Sequence, residues 1–112
     1  MPTANLFYRN ERHEPAILSA LDSLKSFIAV QLSCPEISLG PDEVSIRVLK
    51  SLGEGMLADI ELDMTAAPYP ERVQQQDNIC LEVRAYTLEQ IPDANDVKAW
   101  LNLHELGHSW EQ

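Results

Sequence analysis

Three residues in the first half of the chain have side chains suited to acid–base chemistry on a small acid: Pro2, Arg12 and Arg47. If the initiator methionine is removed, Pro2 becomes an N-terminal secondary amine. Nearby positive charge and apolar surroundings disfavour the ammonium form, so both lower the pKa of such an amine toward neutrality. The amine could then move a proton at a carbon beside a carbonyl, while the guanidinium groups hold a carboxylate and polarise the oxygen.

A second chemical motif, H-E-x-x-H, occurs near the C-terminus at residues 104–108. In zinc hydrolases two histidines at this spacing share a helix face and bind Zn²⁺, while the glutamate activates water. The motif needs a third ligand, and only Glu111 follows it. The alternation before His104 favours a strand, although residues 97–108 also fit a helix. A surface tail is therefore the preferred interpretation, with a zinc hydrolase as the alternative.

Composition limits the possible partners of the protein. The chain has 112 residues, a formal net charge of −10 and 45% hydrophobic residues, which predicts one domain over residues 1–112. This charge argues against nucleic acid and anionic membranes as partners, because both require a basic surface. Two cysteines, Cys34 and Cys80, are too few for a disulfide framework, and no signal-peptide pattern is present. We therefore predict a cytoplasmic protein. For the preferred function we predict no cofactor.

The elements that must position these residues follow from hydrophobic periodicity. Helical spacing predicts one helix that opens at Arg12 to Pro15 and continues to Leu32, and a second from Glu71 to Ile91. The cluster Ile79–Leu81 leaves a short strand possible within the second helix. The predicted buried line of that helix is Val73, Cys80, Val83, Thr87 and Ile91. Alternating apolar and polar residues predict four strands, at residues 4–9, 44–49, 59–64 and 97–103.

The resulting order, β-α-β-β-α-β, consists of two copies of a β-α-β unit, at about residues 1–52 and 57–112. We predict a two-layer α+β (α/β) fold, in which both helices cover one face of a four-stranded sheet. Gly53-Glu54-Gly55 predicts a hairpin between the second and third strands. The other sheet face is predicted to be polar and to meet other subunits or line a channel. It carries Arg47, Asp59, Glu61, Asp63, Lys98, Trp100 and Asn102.

This layout, together with Met1-Pro2 and the two strand motifs, resembles the tautomerase superfamily, which includes 4-oxalocrotonate tautomerase and macrophage migration inhibitory factor. Aligned without gaps from Pro2, Arg12 falls where the family carries its first catalytic arginine. The string Ser45-Ile46-Arg47-Val48 is similar to the strand that bears the second. The closing run from Pro92 to Leu103 is similar to the last strand of the migration inhibitory factor branch.

The resemblance implies a tautomerase (isomerase) that assembles as a homotrimer and acts on a small keto or enol carboxylic acid. It implies that Pro2 is the catalytic base, that Arg12 and Arg47 hold the anion, and that Lys98 and Trp100 form the pocket wall. One alternative is a non-catalytic oligomeric or ligand-binding protein of the same fold, since fold does not fix function. In that case Arg12 is a solvated residue at the start of a helix, and Arg47 pairs with Asp59 or Glu61.

Overall fold

The computed structural model describes residues 1–105 and 107, which form a sheet, three α-helices and two short 3₁₀ turns. The strands are β1 (Thr3–Tyr8), β2 (Ser45–Lys50), β3 (Ile60–Ala66) and β4 (Val97–Leu103). The α-helices are α1 (Glu14–Leu32), α2 (Pro70–Gln74) and α3 (Gln76–Gln90). The 3₁₀ turns are Glu11–His13 and Pro41–Glu43.

The four strands form one mixed sheet in the order β2-β1-β3-β4. β1 pairs with β2 in parallel and with β3 antiparallel, and β3 pairs with β4 in parallel. Each parallel pair thus comes from one half of the chain, and the antiparallel contact between β1 and β3 joins the halves. Leu6 stands at the centre of this joint, opposite Val48 on one side and Leu62 on the other.

The predicted hairpin between the second and third strands is wrong. β2 and β3 lie on opposite sides of β1, so residues 51–59 run past the end of β1 instead of turning back on β2. The Ser51 amide donates to the Tyr8 carbonyl at 2.8 Å and holds the start of this connection to β1. Gly53 does turn the chain, with a φ of 81°. The glycines indicate a local turn only. They do not determine which strands pair, and here β2 and β3 pair with opposite edges of β1.

Both main helices cover one face of the sheet, as predicted. Along β1 and β3 every second side chain is buried, including Leu6 and Leu62, which are fully enclosed. Helix α1 contributes Ile17, Ala20, Leu24, Ile28, Ala29 and Leu32 to the same core. Helix α3 adds Ile79, Val83 and Thr87. The α+β architecture predicted from the periodicity is therefore confirmed.

The second helical segment is broken where one helix was predicted. Gln75, with φ −101° and ψ 11°, separates α2 from α3. The buried line also differs, because Val73 is 51% exposed whereas Arg72 is 3% exposed. Residues 79–81 are helical, so the alternative of a short strand there is wrong.

The outer sheet face carries the predicted polar residues, apart from Asp59, which precedes β3. The Asp59 carboxylate accepts a hydrogen bond from the Asn95 backbone amide at 2.8 Å and pairs with Arg9 at 3.2 Å. The bond from Asn95 contributes most to lowering the pKa of the Asp59 carboxyl group. Arg47 lies opposite Asn5 of β1. The predicted alternative, that Arg47 pairs with Asp59 or Glu61, is wrong because β1 lies between β2 and β3.

The helical segment of residues 11–32 is long and apolar enough to cross a membrane, judged by length and composition alone, with a mean hydropathy of 1.2. The core helix of a soluble protein meets the same criteria, and α1 buries its apolar side against the sheet. The fold thus accounts for the apolar character of α1 without a membrane. The cytoplasmic location stays a prediction from composition.

Candidate active site

One end of the sheet forms a cavity next to Pro2. Because β2 runs parallel to β1 and β3 runs antiparallel to it, the start of β1 lies beside the start of β2 and the end of β3. The connection that enters β2 and the connection that leaves β3 both pass this point. Together with the first two residues they enclose a cavity of about 220 Å³.

Pro2 is a fixed part of the cavity wall. The residue is buried, and its carbonyl accepts a hydrogen bond from the Ser45 amide at 3.1 Å. This bond extends the β1–β2 pairing by one step, so the sheet sets the position of Pro2. Beside Pro2, the polar residues of the wall are Glu43, Tyr69 and Arg72. The remaining wall is apolar and consists of Met1, Ile37, Leu39 and Ala67.

Arg72 supplies a buried positive charge to this wall. Its Nε donates to the Leu32 carbonyl at 2.8 Å, and its Nη1 donates to the Ala67 carbonyl at 3.1 Å. The guanidinium carbon lies 4.9 Å from the centre of the Tyr69 ring, a cation–π contact. Nη2 makes no hydrogen bond to any residue in the described part of the chain. Desolvation lowers the pKa of Arg72, but an arginine remains charged at neutral pH.

Glu43 supplies the negative charge. It ends the 3₁₀ turn Pro41–Glu43, and its Oε1 accepts from the Gly40 amide at 3.2 Å. Its backbone amide donates to the Gly40 carbonyl at 3.1 Å, so both ends of the residue are tied to Gly40. The side chain is exposed on one side and lines the cavity on the other. The cavity therefore holds one guanidinium and one carboxylate.

Pro2 was predicted from the sequence, whereas Arg72, Glu43 and Tyr69 were not. For Arg72 a signal was present in the periodicity. The buried residues Ile79 and Val83 define a helix stripe, and this stripe continues backward through Gln76 to Arg72. A charged residue at an otherwise buried position is the kind of exception that marks a site. Glu43 and Tyr69 lie in connections where no comparable pattern exists.

Arg12 lies at the other end of the sheet from Pro2. It follows β1, which at six residues spans roughly 20 Å. Arg12 lines an open depression with Pro92, Asp93 and Asn95. Its Nε lies 3.4 Å from the Nε2 of the buried His13.

Arg47, Lys98 and Trp100 lie on the outer face of the sheet, away from the helices. Arg47 is exposed on β2. On β4, Lys98 pairs with Asp96 at 3.6 Å, and Trp100 is 42% exposed beside a depression of about 320 Å³. A single chain thus brings Pro2 together with Arg72, and it does not bring Pro2 together with Arg12 or Arg47. The catalytic assignments of Arg12 and Arg47 stay predictions about an assembly.

The H-E-x-x-H motif begins just after β4. The His104 amide donates to the Ala66 carbonyl at 3.2 Å, which extends the pairing of β4 with β3. Residues 97–103 form a strand, so the helical alternative for this stretch is wrong. His108 and Glu111 lie outside the described residues. Within residues 1–105 and 107, no three His, Cys, Asp or Glu side chains are placed to hold a metal ion.

Comparison with known proteins supports the fold. No protein-family model matches the chain, and no curated protein matches it in sequence. The structure matches malonate semialdehyde decarboxylase with a TM-score of 0.69 at 14% identity, over 98% of this chain and 91% of that chain. It matches a fused 4-OT symmetric trimer with a TM-score of 0.58 at 18% identity, over 96% and 91%.

A third match is a domain of unknown function from Sebaldella termitidis, with a TM-score of 0.55 at 15% identity, over 99% of this chain and 95% of that chain. The resemblance to the tautomerase superfamily is thus confirmed for the fold. The neighbours include proteins with stated activities and one with none. The fold alone therefore leaves the activity to be argued from the cavity.

Proposed function

We propose that this protein, once Met1 is removed, catalyses proton transfer on a small keto or enol carboxylic acid with the Pro2 amine as the base. The observation that carries the proposal is that Pro2 and the buried Arg72 line one cavity. Acid–base catalysis requires a group that can hold and release a proton next to a fixed substrate. Pro2 would supply the first of these, and Arg72 would fix the substrate.

In this mechanism the substrate carboxylate binds the Nη2 group of Arg72. The other two nitrogens already donate to backbone carbonyls, so the guanidinium does not have to be ordered when substrate arrives. The Pro2 amine takes a proton from the carbon beside the carbonyl, and the resulting ammonium returns it to the other end of the enol system. Burial and the nearby guanidinium disfavour the ammonium form, whereas Glu43 favours it, so the amine can both accept and release a proton.

The proposed roles of Arg12 and Arg47 require neighbouring copies of the chain. Neither residue lines the Pro2 cavity of its own chain. A homotrimer that places them at the cavity of the next copy would add a second and a third guanidinium, which would hold the same carboxylate as Arg72 and polarise the substrate carbonyl oxygen. Lys98 and Trp100 would reach the cavity wall by the same route. Support for an assembly comes from the structural likeness to a symmetric trimer of fused 4-OT.

The test combines intact mass with one substitution. Mass spectrometry of the purified protein should show loss of Met1. The Pro2→Ala variant should then lower turnover of the enol form of a 2-keto acid by about tenfold or more, because acid–base groups contribute about 10²–10⁴ in rate. Pro15→Ala is the matched control, since Pro15 is an exposed residue in the first turn of α1 and does not line the cavity.

Retention of Met1, or equal turnover by wild type and Pro2→Ala, would contradict the proposal. Either result would favour the alternative of a non-catalytic ligand-binding protein of the same fold. The zinc hydrolase alternative has its own measurement, which is metal analysis of protein purified without chelators. Bound zinc at one equivalent together with peptidase or esterase activity would support that alternative, and absence of both would end it.

A further inference from the structure

We infer that Glu43 sets the substrate class of the Pro2 cavity, so that it accepts short monocarboxylates with a hydrogen-bond donor at the far end and excludes dicarboxylates. The inference rests on the proposed function only for the location of the site. It concerns which acids bind there, and it can be tested by binding without any turnover.

The charge count of the cavity is the first argument. Among the described residues that line it, Arg72 is the one cationic side chain and Glu43 is the one anionic side chain. A first carboxylate can bind the Nη2 group of Arg72. A second carboxylate on the same molecule finds no further cationic side chain among the described residues of the wall, and Pro2 offers only an amine whose ammonium form is disfavoured. It would instead lie in a small space beside the Glu43 carboxylate.

The hydrogen bonding of Glu43 is the second argument. Its Oε1 accepts a hydrogen bond from the Gly40 amide, which favours one position of the carboxylate at the cavity. Oε2 makes no hydrogen bond to any residue in the described ranges and can accept one from a ligand. A hydroxyl, an enol or a hydrated aldehyde can donate this bond, whereas a carboxylate cannot.

The cavity size is the third argument. With Met1 in its wall the cavity has a volume of about 220 Å³, which is below the range of about 300–1,000 Å³ typical of pockets for drug-sized ligands. A ligand of a few carbons bound at Arg72 therefore spans much of the cavity, whose wall includes Glu43. At such short range two like charges repel even where solvent partly screens them, and we expect the repulsion to weaken binding about tenfold.

The experiment compares two four-carbon acids, 4-hydroxybutyrate and succinate, by NMR titration of the isotope-labelled full chain. Wild type should bind 4-hydroxybutyrate about tenfold more tightly than succinate at low ionic strength, with shifts at cavity residues. Glu43→Gln should bring the two dissociation constants within about twofold of each other. Glutamine keeps an Oε1 acceptor for the Gly40 amide, so the variant should fold normally.

Asp42→Asn is the matched control. Asp42 is the preceding residue of the same turn, is exposed, and does not line the cavity. The substitution therefore removes the same charge at a neighbouring position outside the cavity. This variant should keep the wild-type preference. Added salt should reduce the preference in wild type and in Asp42→Asn but leave Glu43→Gln unchanged, because screening acts on the repulsion that Glu43 supplies.

An unchanged preference in Glu43→Gln would overturn the inference, and so would equal binding of the two acids by wild type. Failure of both acids to shift cavity residues in folded wild type would overturn it as well. A wild-type protein that shows the preference but no turnover would refute the proposed function and leave this inference standing. The two ideas can therefore fail separately.

Discussion

Tyr8, the last residue of β1, connects this strand to the first turn of α1. Its ring is buried, and its hydroxyl donates to the Glu14 carboxylate. This contact and the nearby carboxylates disfavour the phenolate form and raise the pKa of Tyr8 to about 12. Since the start of α1 follows β1 after a single 3₁₀ turn, the contact fixes the direction in which the helix leaves the sheet.

This pair predicts a pH effect. Because the pKa of Tyr8 in the folded protein lies above its ordinary value of 10.0, the folded state holds this proton more tightly than the unfolded state. The stabilising contribution is therefore complete below pH 10 and is lost as the pH rises through about 12. Titration of phenolate absorbance should show a component near pH 12 that is missing in Tyr8→Phe.

The matched control for this titration is Tyr86→Phe, which keeps the ring that stacks on Phe27 with a centroid distance of 4.1 Å. That variant should retain the component near pH 12. A wild-type titration without such a component would show that the Tyr8–Glu14 contact does not form in solution.

At the scale of elements, the connection over residues 51–59 carries the chain from one edge of β1 to the other. Gly53 has a φ of 81° there, a conformation that costs other residues about 1–2 kcal/mol. Gly53→Ala should therefore lower the free energy of unfolding by about that amount. Chemical denaturation with urea measures it.

Gly55→Ala is the control for this prediction, since Gly55 has no positive φ and an added methyl group there would meet open space. We expect its effect to stay within about 0.5 kcal/mol. Equal destabilisation by the two variants would mean that the loop tolerates no side chain, and that backbone conformation at Gly53 is not the cause.

Helices and strands were predictable where the spacing of apolar residues shows which side of the element is buried. Alternation placed β4 at residues 97–103, and the apolar stripe of α1 ended at Leu32, as in the structure. Strand pairing was not predictable in this way, because Gly53 signals a turn whether or not the flanking strands pair. In the cavity, Pro2 was predicted from its type and position. Arg72 was missed because Val73, one residue later, also fits a helical stripe.

At the scale of the whole molecule, the outer sheet face combines charged rows with exposed apolar side chains. Leu49 is 40% exposed and Trp100 is 42% exposed, and both lie on this face with the half-buried Phe7. Such a surface on a chain of formal charge −10 is consistent with the predicted homotrimer, because partner copies would cover the apolar groups. Sedimentation should give about three times the chain mass of 12.6 kDa.

Trp100→Glu should shift this mass toward the monomer, since it would place a charge in the covered surface. Leu52→Glu is the control, because Leu52 is 85% exposed in the connection after β2 and lies outside the sheet. A monomeric wild type would contradict the homotrimer. Dissociation by Leu52→Glu would show that the subunit interface includes the connection after β2.

Mixing experiments test whether neighbouring copies complete the active site. Pro2→Ala and Arg47→Ala should each be about tenfold or more less active than wild type. If Arg47 acts at the cavity of another copy, a refolded mixture of the two variants should regain part of the activity. A mixture of Pro2→Ala with the Pro2→Ala/Arg47→Ala double variant should not regain any, and recovery there would rule out the shared site.

The two hydrogen bonds from Arg72 to the carbonyls of Leu32 and Ala67 affect how relatives of this protein should be interpreted. Removing the side chain would leave the Leu32 carbonyl without a donor among the described residues and the Ala67 carbonyl with only the Tyr69 amide, so selection for folding alone would keep an arginine here after any activity had been lost. Its presence in a homologous chain would then be a weak marker of catalysis. Glu43, held by a single side-chain bond at the surface, is freer to diverge, and an acidic residue retained there would be the better guide to a shared ligand.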